Sequence, residues 1–181
     1  MQLSLAGCSG LIVETEAYLG VEDKAAHAFG GRKTPRNHSL YLPAGNVYVY
    51  QMRQYCLLNI VTRTAEVPEC ILIRALEPQA GMAKMQQRRH QEGVGLTNGP
   101  GKLCQALAID RALDGSRLNA GGLQLTATTF QPRHITIGPR IGIPNKEPWT
   151  SAPLRFSVQG NPFVSGTARR DQDLKTRGWQ S

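Results

Sequence analysis

Between Gly10 and Gly20 the chain runs unbroken through Leu11, Ile12, Val13, Glu14, Thr15, Glu16, Ala17, Tyr18 and Leu19. A run of that length and content, closed at both ends by glycine, predicts a strand. Alternation along it puts Glu14, Glu16 and Tyr18 on one face and Val13, Thr15 and Ala17 on the other. Two carboxylates beside a tyrosine are unusual on a strand flanked by apolar residues. A solvated acidic face is the plainer account of this segment alone. A general base next to a ring that stacks a planar substrate is the sharper one.

Other segments read the same way. Residues 46–51 and 56–62, with Tyr and Val alternating, predict a strand pair joined by a tight hairpin. Ile71 to Leu76 is a further apolar strand; Pro78 is expected to end it and to lead into a helix of roughly a dozen residues with Met82 and Met85 on one face. Residues 28–43 and 91–101, rich in Gly, Pro and Asn, read as loops, and long loops in compact domains are often functional. Asn98 is placed to cap the next helix, Pro100 to open it, and Leu103, Ala106 and Leu107 to form its buried stripe. Short strands follow at 123–127, 134–137 and 156–158. The expected architecture is α+β, a single domain with a curved, largely antiparallel sheet and flanking helices. It spans residues 1–167, and a polar tail, 168–181, is expected to fray.

Lys and Arg outnumber Asp and Glu by 21 to 13, a net charge of +8. Such a surplus suits a polyanion, whose phosphates release counterions when neutralised. A merely basic surface explains it equally well. Cys8, Cys56, Cys70 and Cys104 are too scattered for a zinc ribbon or a disulfide framework. No apolar run is long enough to span a membrane, and the first residues lack a signal peptide's basic region, so an intracellular protein is expected.

Polar residues inside apolar runs mark further candidates. Asn59 interrupts one such run and Arg74 another; a buried Arg requires an anion, either a protein carboxylate or a phosphate. Tyr48 and Tyr50 share a strand face, which is more often sheet packing than a base-stacking platform. Asn98-Gly99-Pro100-Gly101-Lys102 at a helix start could receive a phosphate on exposed amides, or be an ordinary cap.

Taken together these segments resemble the alkyladenine (3-methyladenine) DNA glycosylase family. The resemblance is carried by VETEAYLG (13–20), AAH (25–27), GGRKTPRN (30–37), YVY (48–50), RALEP (74–78), GPGKLCQALAI (99–109) and PLRF (153–156), in family order. It implies the formyltransferase C-terminal-domain-like fold, a monomer acting on duplex DNA that contains damaged purines, no metal and no cofactor. By that resemblance Glu16 activates the attacking water, while Tyr18, His27 and Tyr50 enclose the flipped base. His27 also hydrogen-bonds near the sugar and the base edge, and Asn59 rejects guanine's 2-amino group. Arg74 holds the catalytic water or a neighbouring phosphate. Arg32, Arg36, Gly101 and Lys102 grip the DNA backbone, and Lys24 is a surface residue because the implied nucleophile is water.

Two departures accompany the resemblance. Family members carry a bulky wedge beside a glycine turn after YVY; here the segment is Gln51-Met52-Arg53-Gln54-Tyr55, leaving Met52 or Arg53 to fill the gap left by the base. Only ten residues precede Leu11, where the family has an additional helical segment. The competing function is a DNA-binding relic of the same fold that turns over poorly.

Overall fold

The computed structural model describes residues 1–180. Eight strands form one curled, wholly antiparallel sheet: β1 (Gln2–Leu5), β2 (Cys8–Tyr18), β3 (Val47–Met52), β4 (Tyr55–Val61), β5 (Cys70–Ala80), β6 (Gln124–Thr126), β7 (Ile135–Gly138) and β8 (Arg155–Val158). The main order is β3-β4-β5-β2-β1-β6, with β7 and β8 branching from β2. The expected α+β domain is therefore observed.

β2 is the organising strand. Residues 8–11 pair with β1, residues 14–16 with β8, and nearly all of the strand with β5. Three irregularities break the β2–β5 ladder: one between Ser9 and Gly10, and two further on, where Val13 has no partner in β5 and Arg74 has none in β2. A bulge bends its strand and re-aims a side chain, and here the latter two lie beside Glu14.

Two helices, α1 (Met82–Arg89) and α2 (Pro100–Leu107), cover one face. Leu103, Ala106 and Leu107 of α2 and Met85 of α1 are fully buried against Leu3, Val47, Val49, Leu58, Ile73 and Leu76. A smaller core of Leu11, Val13, Ala75, Val158, Val164 and Trp179 closes β2 and β5 elsewhere.

Several expectations need correction. β5 continues through Pro78, which is tolerated because β4 pairs only with residues 70–72, so that this stretch of β5 lies on a sheet edge. Gly81 (φ +77) then turns the chain, with an added Cβ falling 2.5 Å from Gly7 O, so only glycine fits. Helix α1 is shorter than expected, ending where His90 turns left-handed, and Met82 is exposed while Met85 is buried. Asn98 does not cap α2; Gly99 holds that position and the Asn98 amide oxygen accepts from Lys102 Nζ at 2.8 Å. Strand β1 escaped the reading; Ala6 and Gly7, both at positive φ, join it to β2 in a two-residue hairpin turn.

Within the described part of the tail, residues 168–180, the chain is anchored rather than frayed. Trp179 is buried and its indole N–H donates to Glu77 Oε2 at 2.8 Å, while Arg177 Nη1 meets Glu77 Oε1 at 2.8 Å. Asn161 also donates to Glu77, at 2.7 Å. A buried carboxylate with three donors holds the C-terminal segment against β5. Trp179→Phe, which keeps most of the packing and removes one donor to a charged acceptor, is expected to cost about 1.5–3 kcal/mol in denaturant unfolding.

Candidate active site

The polar residues of β2, β5 and β8 meet in a buried ion cluster. Glu14 accepts from Arg74 Nε (3.2 Å), from Arg155 Nε (2.6 Å) and from the Ser165 amide (2.8 Å). Glu16 Oε1 lies 3.4 Å from Arg74 Nη1 and accepts from the Ile141 amide at 2.7 Å; its Oε2 accepts from the Tyr18 hydroxyl at 3.0 Å. Two carboxylates are thus balanced by two guanidinium groups. Alternation is confirmed, since Glu14, Glu16 and Tyr18 do lie together. The solvated acidic face is not, because Glu14 and Glu16 are both buried and every approaching group is a donor. An ionised carboxylate is the form that this environment satisfies.

Arg74 is a buried structural cation. Its side chain is 9% exposed, and its ionic partners among the described residues are the carboxylates of Glu14 and Glu16. The bulge at Arg74 lets one guanidinium span Glu14 and Glu16.

In front of Tyr18 lies a cavity of about 160 Å³. Tyr18, His27, Tyr50 and Asn59 all line it, with Leu72 and Ile143 completing the walls. The sequence-predicted base-pocket residues are therefore brought together from β2, a loop, β3 and β4. His27 meets Tyr50 edge to face at 4.5 Å, and Tyr48 and Tyr50 stack at 5.8 Å. Glu16 is not among the lining residues; it is joined to the cavity through the Tyr18 hydroxyl.

Asn59 is fixed. Its amide group donates to the Tyr48 and Leu57 carbonyls (3.2 and 3.3 Å), so its oxygen is the free end, 3.9 Å from Cys70 Sγ. Burial pushes the Cys70 thiol up to about 12, so it stays a neutral donor.

The cavity opens into a groove of about 1020 Å³ lined by Lys24, Arg32, Arg36, Arg53, Arg111 and Lys146, with no Asp or Glu on its walls. Met52 and Arg53, at the tip of the β3–β4 hairpin, also line it, and Met52 is 52% exposed. A floor of aromatic rings, a buried carboxylate and a one-signed mouth suit a planar base attached to a phosphate backbone.

The comparisons agree. The sequence matches the family described as methylpurine-DNA glycosylase over residues 1–162. The chain belongs to the methylpurine-DNA glycosylase family. It is 52% identical to a protein of Lactiplantibacillus plantarum, covering 99% of this chain and 88% of that one. It is 51% identical to a Staphylococcus epidermidis protein (95% and 84%) and 48% identical to one from Staphylococcus aureus (95% and 86%). All three carry the name "Putative 3-methyladenine DNA glycosylase".

In this methylpurine-DNA glycosylase family member, the state of His27 follows from its neighbour. Tyr48 is buried, and burial raises its phenol, so its proton needs an acceptor. His27 Nδ1, 2.7 Å away, is the acceptor found among the described residues. His27 is then neutral with its proton on Nε2. Burial, and secondarily the charge of Arg32, lower its pKa below the usual 6.5. A depressed folded-state pKa means that the contribution to stability is complete above the unfolded value and fades as pH falls through the folded one. The stability gap between wild type and His27→Gln, read from thermal melts, is therefore expected to be widest near pH 8 and to shrink by pH 5.

Two of the expected DNA-backbone residues sit elsewhere. Lys102 is tied to Asn98, and neither it nor Gly101 lines the groove. A Cβ on Gly101 would fall 2.9 Å from the Tyr55 ring, so the glycine lets α2 approach the hairpin closely. Lys24 is exposed, as expected of a surface residue, and is also on the groove wall. The sequence reading missed Asp23, Arg140 and Ile141. Asp23 lies four residues before His27, inside the charged turn leading to the loop, but nothing in the sequence pairs it with a residue so distant in the chain. Among the described residues, no group of three or more His, Cys, Asp or Glu is placed to hold a metal, and no helix is long and apolar enough to cross a membrane.

Proposed function

We propose that the chain is a monofunctional glycosylase that extrudes an alkylated or deaminated purine from duplex DNA and hydrolyses its N-glycosidic bond. The substrate class is 3-methyladenine, 7-methylguanine and hypoxanthine. The observation that carries this is the 160 Å³ cavity enclosed by Tyr18, His27, Tyr50 and Asn59, with Glu16 hydrogen-bonded to the rear of Tyr18 and a cationic groove in front.

In this reading the groove takes the backbone through Arg32 and Arg36, and the amides near Gly101 with Lys102 hold a flanking phosphate. The hairpin tip at Met52 and Arg53 fills the gap left in the duplex. The base enters between Tyr18 and the His27–Tyr50 pair, where a cationic alkylated purine gains from electron-rich faces. Asn59, fixed in the cavity wall, stands where guanine's 2-amino group would clash. As the glycosidic bond breaks, its electron pair leaves with the base and positive charge develops at C1′. Water bonds to C1′ and passes a proton to Glu16. No lysine amine takes part, so the product is an abasic site in an unbroken strand. The protein works as a monomer inside the cell, and requires no metal or cofactor for this chemistry.

One observation favours the relic reading: Glu16 is wholly buried and both its oxygens are engaged, Oε1 by the Ile141 amide and Arg74 and Oε2 by the Tyr18 hydroxyl. Incubation with duplexes carrying one hypoxanthine or one 3-methyladenine is expected to release free base, and affinity is expected to fall steeply with salt, as for any complex dominated by phosphate contacts. Tight, salt-sensitive binding with no base released would leave the relic.

A further inference from the structure

Arg140 and Asp23, 117 residues apart, form an ion pair in which both side chains are 0% exposed. The fork is bidentate, Nη1 to Oδ2 at 2.5 Å and Nη2 to Oδ1 at 2.9 Å. Nη1 also donates to the Ala17 carbonyl (2.9 Å) and Nη2 to that of Trp149 (3.4 Å), and the guanidinium carbon lies 4.6 Å from the centre of the Tyr18 ring. Asp23 in turn accepts from the Leu19 amide (3.2 Å) and the Ala25 amide (2.9 Å). Arg140 Nε is buried and has no hydrogen-bond partner among the described residues.

Such a pair is a poor device for stability. Desolvating two full charges roughly cancels their attraction, and here one donor is left unsatisfied besides. Its position explains it better. Arg140 precedes Ile141, whose amide holds Glu16, and Ile143 of the same loop walls the cavity. Asp23 closes the turn that delivers His27. Arg140 also lies against Tyr18. One ion pair thus touches all the parts that must be held in register: the loop over Glu16, the loop bearing His27, and the ring between them.

We propose that Arg140 and Asp23 are a positioning pair that locks the two loops flanking the base cavity, fixing Ile141 on Glu16 and the Tyr18 ring against the cavity. This rests on the glycosylase reading for its effect on rate, but not for its effect on structure. Neither residue touches substrate; both act through Glu16, Tyr18 and His27.

The test uses two variants of the full chain. The double variant Arg140→Met with Asp23→Asn removes both charges together, so no lone buried charge remains. Arg140→Lys keeps the charge but loses the fork and the flat face over Tyr18. For the double variant, cooperative unfolding and affinity for an undamaged duplex within about threefold of wild type are expected, since neither residue lines the groove and all of its Lys and Arg side chains are retained. Single-turnover release from a hypoxanthine duplex is expected to fall by about 30-fold or more, in line with the sensitivity of catalysis to misplacement. Arg140→Lys is expected to lie between. Amide exchange at Ile141 and Ala25 is expected to quicken by a similar factor while Leu76 in the core keeps its protection. Release within threefold of wild type, or unchanged exchange at Ile141 and Ala25 in a folded variant, would overturn the proposal. So would loss of cooperative unfolding in both variants, because the pair would then be a fold element only. If wild type itself releases no base, the glycosylase reading fails, and the exchange measurement alone decides the pair.

Discussion

Glu16→Gln is expected to bind lesion-containing duplex within about threefold of wild type and to release base about 10²–10⁴-fold more slowly. The side chains are isosteric, and Gln retains an oxygen for the Ile141 amide or the Tyr18 hydroxyl. In the proposed mechanism, what disappears is the negative charge at position 16 and with it the ability to take water's proton. The cationic groove is unaffected, so binding and chemistry separate. Filter binding and single-turnover base release on one protein preparation measure the two quantities. If wild type and Glu16→Gln released base equally slowly, the carboxylate would have no chemical role and the relic reading would hold.

Arg74→Met is expected to lower the unfolding free energy by about 3–5 kcal/mol, the cost of stripping a buried charge of its partner. Glu14 keeps Arg155 and the Ser165 amide, but Glu16 loses its cation while remaining fully buried. Adding Glu16→Gln should return a large part of that loss, since the carboxylate left without a cation would be neutral; contacting residues are where additivity fails. Urea unfolding of the two single variants and the double gives the coupling directly. A loss below about 1 kcal/mol for Arg74→Met would mean that the cluster is hydrated, since exposed ion pairs contribute no more than that.

How much of this could be read from the chain depends on the range of the interaction. Strand alternation is local, and it gave Glu14, Glu16 and Tyr18 a common side and Tyr48 and Tyr50 another. The buried stripe of α2 was visible for the same reason, through the spacing of Leu103, Ala106 and Leu107. Asn59 and Arg74 were legible as misfits, polar groups in apolar runs, although the anion chosen by Arg74 was not. The tail failed because its composition is polar while its anchor, Trp179, depends on Glu77 about a hundred residues earlier. Arg140 and Asp23 failed likewise: each is an unremarkable surface-type residue until the fold brings them together. The family resemblance assigned roles to Gly101 and Lys102 that lie in backbone approach, and the geometry adds a packing task for Gly101 beneath Tyr55. The β-bulge at Arg74 left no trace in the sequence, because bulges are decided by the partner strand.

The most direct test is a crystal structure of the Glu16→Gln protein with a duplex carrying a single hypoxanthine. The expected result is the hypoxanthine ring out of the helix, held between Tyr18 and the His27–Tyr50 pair, with C1′ turned toward position 16 and the hairpin tip in the vacated stack. A base still paired within the duplex, or one seated away from those rings, would contradict the assignment.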